Sequence, residues 1–180
     1  MNKKEILAEY RSIVGVNSAK ARELIKKLSY KEDYYLLQCI AQTYLDESRL
    51  DENDNMRLSI DRRKWRMAEK YIIRAFEINS DNADVLYTMA GVRKANDQND
   101  IAIYCFEKII KLGVGRIAKG EYGRGLDFAK ELVNDSRFEL YRLYHETNER
   151  ISKRYLSMYK RGLKLGIKSI YKPLKRFLLD

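Results

Sequence analysis

The sequence is poor in residues that interrupt helices and in residues that build chemical sites. Its 180 residues include one proline, one histidine and two cysteines. Proline is the residue that helix interiors tolerate least, so its rarity predicts helices throughout. No apolar run approaches the ~20 residues of a membrane-spanning helix, and no N-terminal secretion signal is recognisable. We therefore expect an all-α protein that acts in the cytoplasm.

The few residues suited to catalysis or metal binding are isolated from one another. Cys39 and Cys105 lie in apolar helical patterns and lack the close spacing of metal or redox pairs, so we interpret them as small core residues. His145 falls on the apolar side of its predicted helix and is interpreted as a hydrogen-bonded core residue. Because the acidic residues are scattered, the sequence predicts no catalytic residue, metal, cofactor or small-molecule substrate.

The formal net charge of +10 is concentrated near the C-terminus. Residues 151–180 contain nine Lys or Arg and one acid, whereas the preceding residues contain 27 basic and 25 acidic side chains. At about 100° per residue, the apolar and basic side chains of this segment lie on opposite sides of a helix. The sequence therefore predicts a cationic amphipathic helix. Its basic surface consists of Lys160, Arg161, Lys164, Lys168, Lys172, Lys175 and Arg176.

Three interpretations of this basic segment stay open. In the first, its apolar face packs on the preceding helices as a terminal cap. In the second, this face lies on an anionic membrane. In the third, the basic face binds the phosphates of nucleic acid. Gly162, Gly166, Ser169 and Pro173 follow one another at intervals of four, three and four residues along one edge. Such a stripe favours protein packing, because lipid needs no groove.

An apolar pattern recurs at a spacing of 34 residues between Ala68 and Leu112. The matched positions are Ala68 and Ala102, Ile72 and Phe106, Ala75 and Ile109, Phe76 and Ile110, and Ile78 and Leu112. An upstream group, Leu37 to Tyr44, recurs 49 residues later, which indicates an inserted loop of about 15 residues at 47–60. A period near 34 residues is typical of stacked helical hairpins.

These residues resemble the tetratricopeptide repeat family over about residues 33–112. The clearest unit has Leu86, Met89 and Ala90 at the large and small positions of the first helix, and Ala102 and Phe106 at those of the second. Departures from the family pattern occur at Arg93, Ile109 and Ser80.

The resemblance implies a right-handed superhelix whose concave wall is formed by the first helix of each repeat and binds a protein or peptide. The candidate partner-binding residues on that wall are Tyr35, Gln38, Gln42, Tyr87 and Lys94. In relatives, a set of Lys and Asn residues at such places clamps a peptide carboxylate, and this chain has only the lysine at 94.

Several local signals divide the chain. Five of the nine glycines fall within residues 113–125, which we interpret as a flexible connector. The connector separates a helical repeat module at 1–112 from a basic helical module at 126–180. Asn2 with Glu5 predicts a capping box at the first helix.

Within the basic module, Asn134 and Asp135 predict the end of a helix, and Ser136 with Glu139 predicts a capping box for the next one. A second basic cluster, at residues 62–66, surrounds Trp65 and opens the fourth predicted helix.

Together these patterns predict a non-enzymatic scaffold or adaptor. We expect it to bind an acidic protein or peptide through the concave helical face and the basic C-terminal helix. The alternative is that this helix binds nucleic acid or an anionic membrane surface.

Overall fold

A computed structural model describes residues 2–50 and 59–170. The fold of these residues is helical. These residues form eight α-helices, one 3₁₀ turn and a two-residue β ribbon, which confirms the all-α prediction. No helix in the described part of the chain is long and apolar enough to cross a membrane. The chain forms two compact units, with Ser80 closing the first and Asp81 opening the second.

The first unit is built on a long pair of helices, α3 and α4, with two shorter helices before it. Its elements are α1 (Lys3–Ile13), α2 (Ser18–Lys26), the 3₁₀ turn (Tyr30–Glu32), α3 (Tyr34–Ser48), β1 (Arg49–Leu50), β2 (Ser59–Ile60) and α4 (Arg62–Ile78). Each helix packs on the next one in sequence. The strands β1 and β2 pair antiparallel, with Arg49 opposite Ile60.

The predicted insertion at 47–60 is only partly a loop. Glu47 and Ser48 belong to the last turn of α3. β1 comes directly after them, and β2 forms the last two residues of the insertion. Residues 51–58 lie outside the described residues. The insertion therefore begins in α3, and its described residues end on a short ribbon that leads into α4.

As far as residue 170, the second unit contains four helices that also pack in sequence order. They are α5 (Ala83–Ala95), α6 (Asn99–Ala118), α7 (Leu126–Tyr144) and α8 (Glu149–Lys164). Gly113 interrupts α6 with a φ of 74°, close to the predicted end of this helix at Leu112. The helix resumes and reaches Ala118, so the predicted connector at 113–125 begins with a further helical turn.

Local capping determines several helix starts. The predicted capping box of α1 is confirmed, because Asn2 Oδ1 accepts from Glu5 N at 3.0 Å and Glu5 Oε2 accepts from Asn2 N at 3.0 Å. Asp61 and Asn82 cap α4 and α5 by their side chains alone, which accept from amides two or three residues ahead. Each such cap contributes about 1 kcal/mol to helix stability.

Small residues occupy the interiors of the two helix pairs that carry the repeat pattern. Ala41 and Ala68 of α3 and α4 are 0% exposed, as are Ala90 and Ala102 of α5 and α6. Helices approach closely where side chains are small, and a larger side chain would force them apart. The same arrangement of buried alanines thus occurs once in each unit.

The predicted break in the middle of α7 is wrong. α7 continues through Asn134, Asp135 and Ser136, and all three are buried. Ser136 Oγ donates to the carbonyl of Leu132 at 2.8 Å, whereas Asn134 Nδ2 donates to the carbonyl of Tyr159 at 3.3 Å. These polar side chains are used inside α7 and against α8, so they do not cap a helix.

The predicted amphipathic helix at the C-terminus is shorter than expected. α8 ends at Lys164, and Gly166 follows with a φ of 78°. The amide of Ile167 donates to the carbonyl of Gly162 at 3.1 Å, and that of Gly166 to the carbonyl of Leu163 at 2.9 Å. This pair of bonds is a Schellman motif, which turns the chain away from the helix axis.

Candidate functional site

The residues predicted to line an open wall in the first unit are largely covered. Tyr35 is 4% exposed and Gln38 is 9% exposed, so the expectation that they face solvent is wrong. Part of the cover comes from α1, which the repeat pattern did not include and which bonds to α3 through Tyr10 and Arg11. Arg11 of that helix donates to the hydroxyl of Tyr35 at 3.3 Å, and Gln42 is half-buried and donates to Asp46 at 2.7 Å.

The predicted wall residues of the second unit are half-buried. Tyr87 packs edge-to-face on Phe106, with ring centroids 5.5 Å apart. Lys94 Nζ lies 2.5 Å from a carboxylate oxygen of Glu139, whose side chain is 4% exposed. Because a buried carboxylate needs a partner, Lys94 is held inside the unit by this ion pair.

A row of exposed cations follows the outer side of α8. The helix contains six Lys or Arg and one acid, Glu149, which pairs with Lys153 at 2.7 Å. The α8 cationic stripe is defined as Arg150, Arg154, Arg161 and Lys164, all exposed. None of the four pairs with a carboxylate in residues 2–50 or 59–170.

The intervals of four, seven and three residues place the stripe on one helical face. At 1.5 Å per residue it extends over about 21 Å. Of the predicted basic surface, Lys160 is half-buried and Lys168 is exposed beyond the helix. The other three predicted residues, Lys172, Lys175 and Arg176, lie outside the described residues.

The opposite side of α8 is fixed against α7, which keeps the stripe outward. Tyr159 is buried with its ring centroid 4.8 Å from that of Phe138. Ser152 Oγ donates to the carbonyl of Tyr141 at 3.0 Å. Gly162 lies so close to the Asn134 side chain that an added Cβ would collide with it. The small-residue stripe predicted from the sequence thus includes one true point of close approach.

A buried carboxylate ties the chain after α8 back to α7. Asp135 accepts from Ser169 Oγ at 2.5 Å and from the amide of Ile170 at 3.1 Å. Tyr159 Oη donates to Ser169 Oγ at 2.9 Å. We call Asp135, Tyr159 and Ser169 the polar clasp. It fixes the point at which the chain continues toward the remaining basic residues.

Burial raises the pKa of Asp135 to about 6, and the nearby charges of Glu131 and Glu139 add to the effect. The hydrogen bonds from Ser169 and Ile170 act in the opposite direction and only partly offset it. The sequence does not identify this group, because Asn134 and Asp135 predict the end of a helix. Three successive polar residues inside an apolar helical pattern were the available signal.

The basic cluster that opens α4 contains one cation in an internal ion pair and three exposed ones. Lys64 and Arg22 both pair with Glu47, at 3.1 and 3.0 Å. Burial by itself would raise the pKa of Glu47, but hydrogen bonds from these two cations outweigh it and lower the pKa. Arg62, Arg63 and Arg66 are exposed, and Trp65 is half-buried.

The histidine and the two cysteines occupy different environments. His145 is exposed at the end of α7, so its interpretation as a core residue is wrong; its ring lies edge-to-face with that of Tyr141, at 5.7 Å between centroids. Both cysteines are buried and reduced, as predicted, and burial raises the pKa of Cys105 to about 11. No group of three His, Cys, Asp or Glu able to hold a metal occurs within the described ranges.

Comparison with models of known families, with curated proteins and with solved structures finds no match for this chain. Its function is therefore inferred from its own residues and contacts. Among these, the α8 cationic stripe places four exposed cations on one face of a helix.

Proposed function

We propose that this chain is a non-enzymatic cytoplasmic adaptor of the tetratricopeptide-repeat type that binds an acidic protein or peptide. The observation that carries the proposal is the α8 cationic stripe. Four exposed cations lie on one helical face, and none of them has a carboxylate partner among the described residues. Such a face attracts acidic partners and gives them one orientation.

The two helix pairs with buried alanines support the repeat-type architecture. α3 with α4, and α5 with α6, each place small residues at equivalent positions of a 34-residue pattern. α1 covers the predicted wall of the first pair, so we assign the main binding surface to the second unit. Tyr87, which is half-buried, remains a candidate contact there.

The packing of α8 bears on the alternative partners. Its inner side, with Ser152 and Tyr159, is buried against α7 and is not available to enter lipid. The rings of Tyr144 and Tyr155 are half-buried and stack on each other at 6.1 Å, so one face of each is already used. Both facts favour a protein partner over a membrane surface or a single-stranded nucleic acid that stacks its bases.

Titration of three probes tests the proposal. The probes are a blocked peptide of ten glutamates, a single-stranded DNA of twenty nucleotides and vesicles that contain phosphatidylserine. We expect the peptide to bind, and the Arg154→Glu/Arg161→Glu variant to lose at least about tenfold in affinity. If DNA binds more tightly than the peptide, and its affinity falls by about 0.7 log unit per phosphate contact per decade of salt concentration, the partner is a nucleic acid and the proposal is wrong.

A further inference from the structure

A groove of about 460 Å³ runs along the outer side of α6 in the second unit. Its lining includes Asp81, Tyr104, Lys108, Lys111, Leu112 and Arg116. Tyr104 is 52% exposed, which is unusual for a large aromatic side chain on a packed helix. The groove therefore combines an exposed ring with three cations. It is separate from the α8 cationic stripe, none of whose residues lines it.

The groove already holds one carboxylate, from this chain. Lys108 Nζ lies 2.7 Å from Asp81 Oδ1, and Arg116 Nη2 lies 3.2 Å from Asp81 Oδ2. Hydrogen bonding to Lys108 lowers the pKa of Asp81, so the carboxylate stays ionised. Cations placed on either side of a carboxylate are the arrangement that proteins use to bind acidic side chains.

One cation of the groove remains without such a partner. Lys111 is exposed, one helical turn after Lys108, and pairs with no carboxylate in the described part of the chain. It lies next to Leu112 and shares the groove with the Tyr104 ring. A ligand that neutralises Lys111 would therefore also meet apolar surface.

The remaining acid of the groove is occupied. Glu107 Oε1 accepts from the hydroxyl of Tyr144 at 3.1 Å and from that of Tyr155 at 3.3 Å. Tyr155 belongs to α8, so this contact joins the groove to the helix that carries the cationic stripe.

We propose that the groove binds an acidic side chain of the partner together with an adjacent aromatic side chain. The carboxylate pairs with Lys111, and the aromatic ring packs on Tyr104 and Leu112. This inference rests on the proposed adaptor function and specifies its partner: the α8 cationic stripe attracts acidic chains in general, whereas the groove selects those in which an aromatic residue lies next to an acidic one.

Matched peptides test the selection. The probe is a fluorescently labelled, blocked peptide of three Gly-Glu-Phe repeats, and its controls are Gly-Gln-Phe and Gly-Glu-Ser repeats. Blocked termini remove the end charges. We expect the first peptide to bind about tenfold more tightly than either control, as measured by anisotropy. Equal affinity for the Gly-Glu-Phe and Gly-Glu-Ser peptides would overturn the proposal, because the aromatic side chain would then contribute nothing to binding.

Variants locate the site. Lys111→Glu and Tyr104→Ser change exposed side chains, and circular dichroism should show an unaltered fold. We expect each to weaken binding of the Gly-Glu-Phe peptide by about fivefold to tenfold, and the control Lys70→Glu, on an exposed position of α4, to leave it unchanged. Wild-type affinity in Lys111→Glu would exclude the groove.

The same experiment separates this inference from the adaptor function. Binding that is lost in Arg154→Glu/Arg161→Glu but kept in Lys111→Glu and Tyr104→Ser would leave the function in place and remove the groove. Failure of wild type to bind any acidic peptide would remove both.

Discussion

The two units place their exposed cations in different surroundings. In the first unit, Arg62, Arg63 and Arg66 are exposed at the start of α4 beside Lys64, which pairs with Glu47 at 3.1 Å. In the second unit, ion pairs such as that of Lys94 with Glu139 lie on other helices than the α8 cationic stripe, whose cations have no carboxylate partner among the described residues. The second unit therefore separates the charge that holds its fold together from the charge that is available to another molecule.

The units also differ in the buried polar groups that join distant segments. In the first unit, the hydroxyl of Tyr10 in α1 donates to the carbonyl of Cys39 in α3 at 3.2 Å. In the second unit, the side chains of Asn134 and Asp135 in α7 bond to segments 25 and 35 residues away. The link in the second unit therefore includes a carboxylate, which responds to pH.

The largest expected effect is on the helix pair with buried alanines that each unit contains. Ala90→Leu, or Ala41→Leu in the first unit, adds three carbons at a position that is 0% exposed. Each change should lower the free energy of unfolding by about 3 kcal/mol, because the helices must separate. Urea denaturation measures this. A parent-like midpoint in either variant would show that its alanine does not lie at a close crossing.

A smaller loss is expected where α8 meets α7. Gly162→Ala should cost about 2 kcal/mol, since the added Cβ collides with Asn134. The matched control is Gly91→Ala in α5, where a Cβ meets nothing within 4 Å. That change should instead stabilise by up to about 1 kcal/mol, through helix propensity. Thermal melts of the two variants should therefore shift in opposite directions.

The polar clasp predicts a dependence on pH. The folded-state pKa of Asp135 is raised to about 6 from 3.8, so the folded chain binds the proton more tightly than the unfolded chain. Stability should therefore rise as pH falls, by about 1 kcal/mol between pH 7 and pH 5. Asp135→Asn keeps the side-chain shape and should abolish this increment. An unchanged pH profile in the variant would assign the increment to another group.

The first unit should show the opposite and weaker trend. Since the pKa of Glu47 is lowered from 4.5, its contribution is present at neutral pH and is lost as pH falls through that lowered value. Glu47→Gln should cost about 0.5–1 kcal/mol at pH 7, and the cost should shrink as the wild-type carboxyl becomes protonated in acid. Denaturation at a series of pH values below 7 measures this, and a loss that stays constant as the pH falls would contradict this role.

Helix starts were predictable because their causes are local. Asn2, Asp61 and Asn82 bond to amides two or three residues ahead, and the sequence contains that information. The break predicted at Asn134 failed for the converse reason. Whether a polar residue caps a helix or bonds to another segment depends on partners such as Tyr159 and Ser169, which no local pattern identifies.

The candidate site was predicted in part. Arg161 and Lys164 of the stripe follow from the charge pattern, but the predicted surface began at Lys160 and omitted Arg150 and Arg154, although their spacing continues the same helical face. The buried position of Tyr35 could not be foreseen, because it depends on α1 packing over α3. Long-range cover of this kind leaves no periodic signal in either helix.

The most direct experiment compares matched charge reversals in the two units. The affinity for the blocked peptide of ten glutamates is measured for wild type, for Arg154→Glu/Arg161→Glu in α8, and for Arg62→Glu/Arg66→Glu in α4, all at exposed positions. We expect the α8 variant to bind at least about tenfold more weakly and the α4 variant to stay within about twofold of wild type. Equal losses in the two variants, or a loss in the α4 variant alone, would contradict the assignment of binding to the second unit.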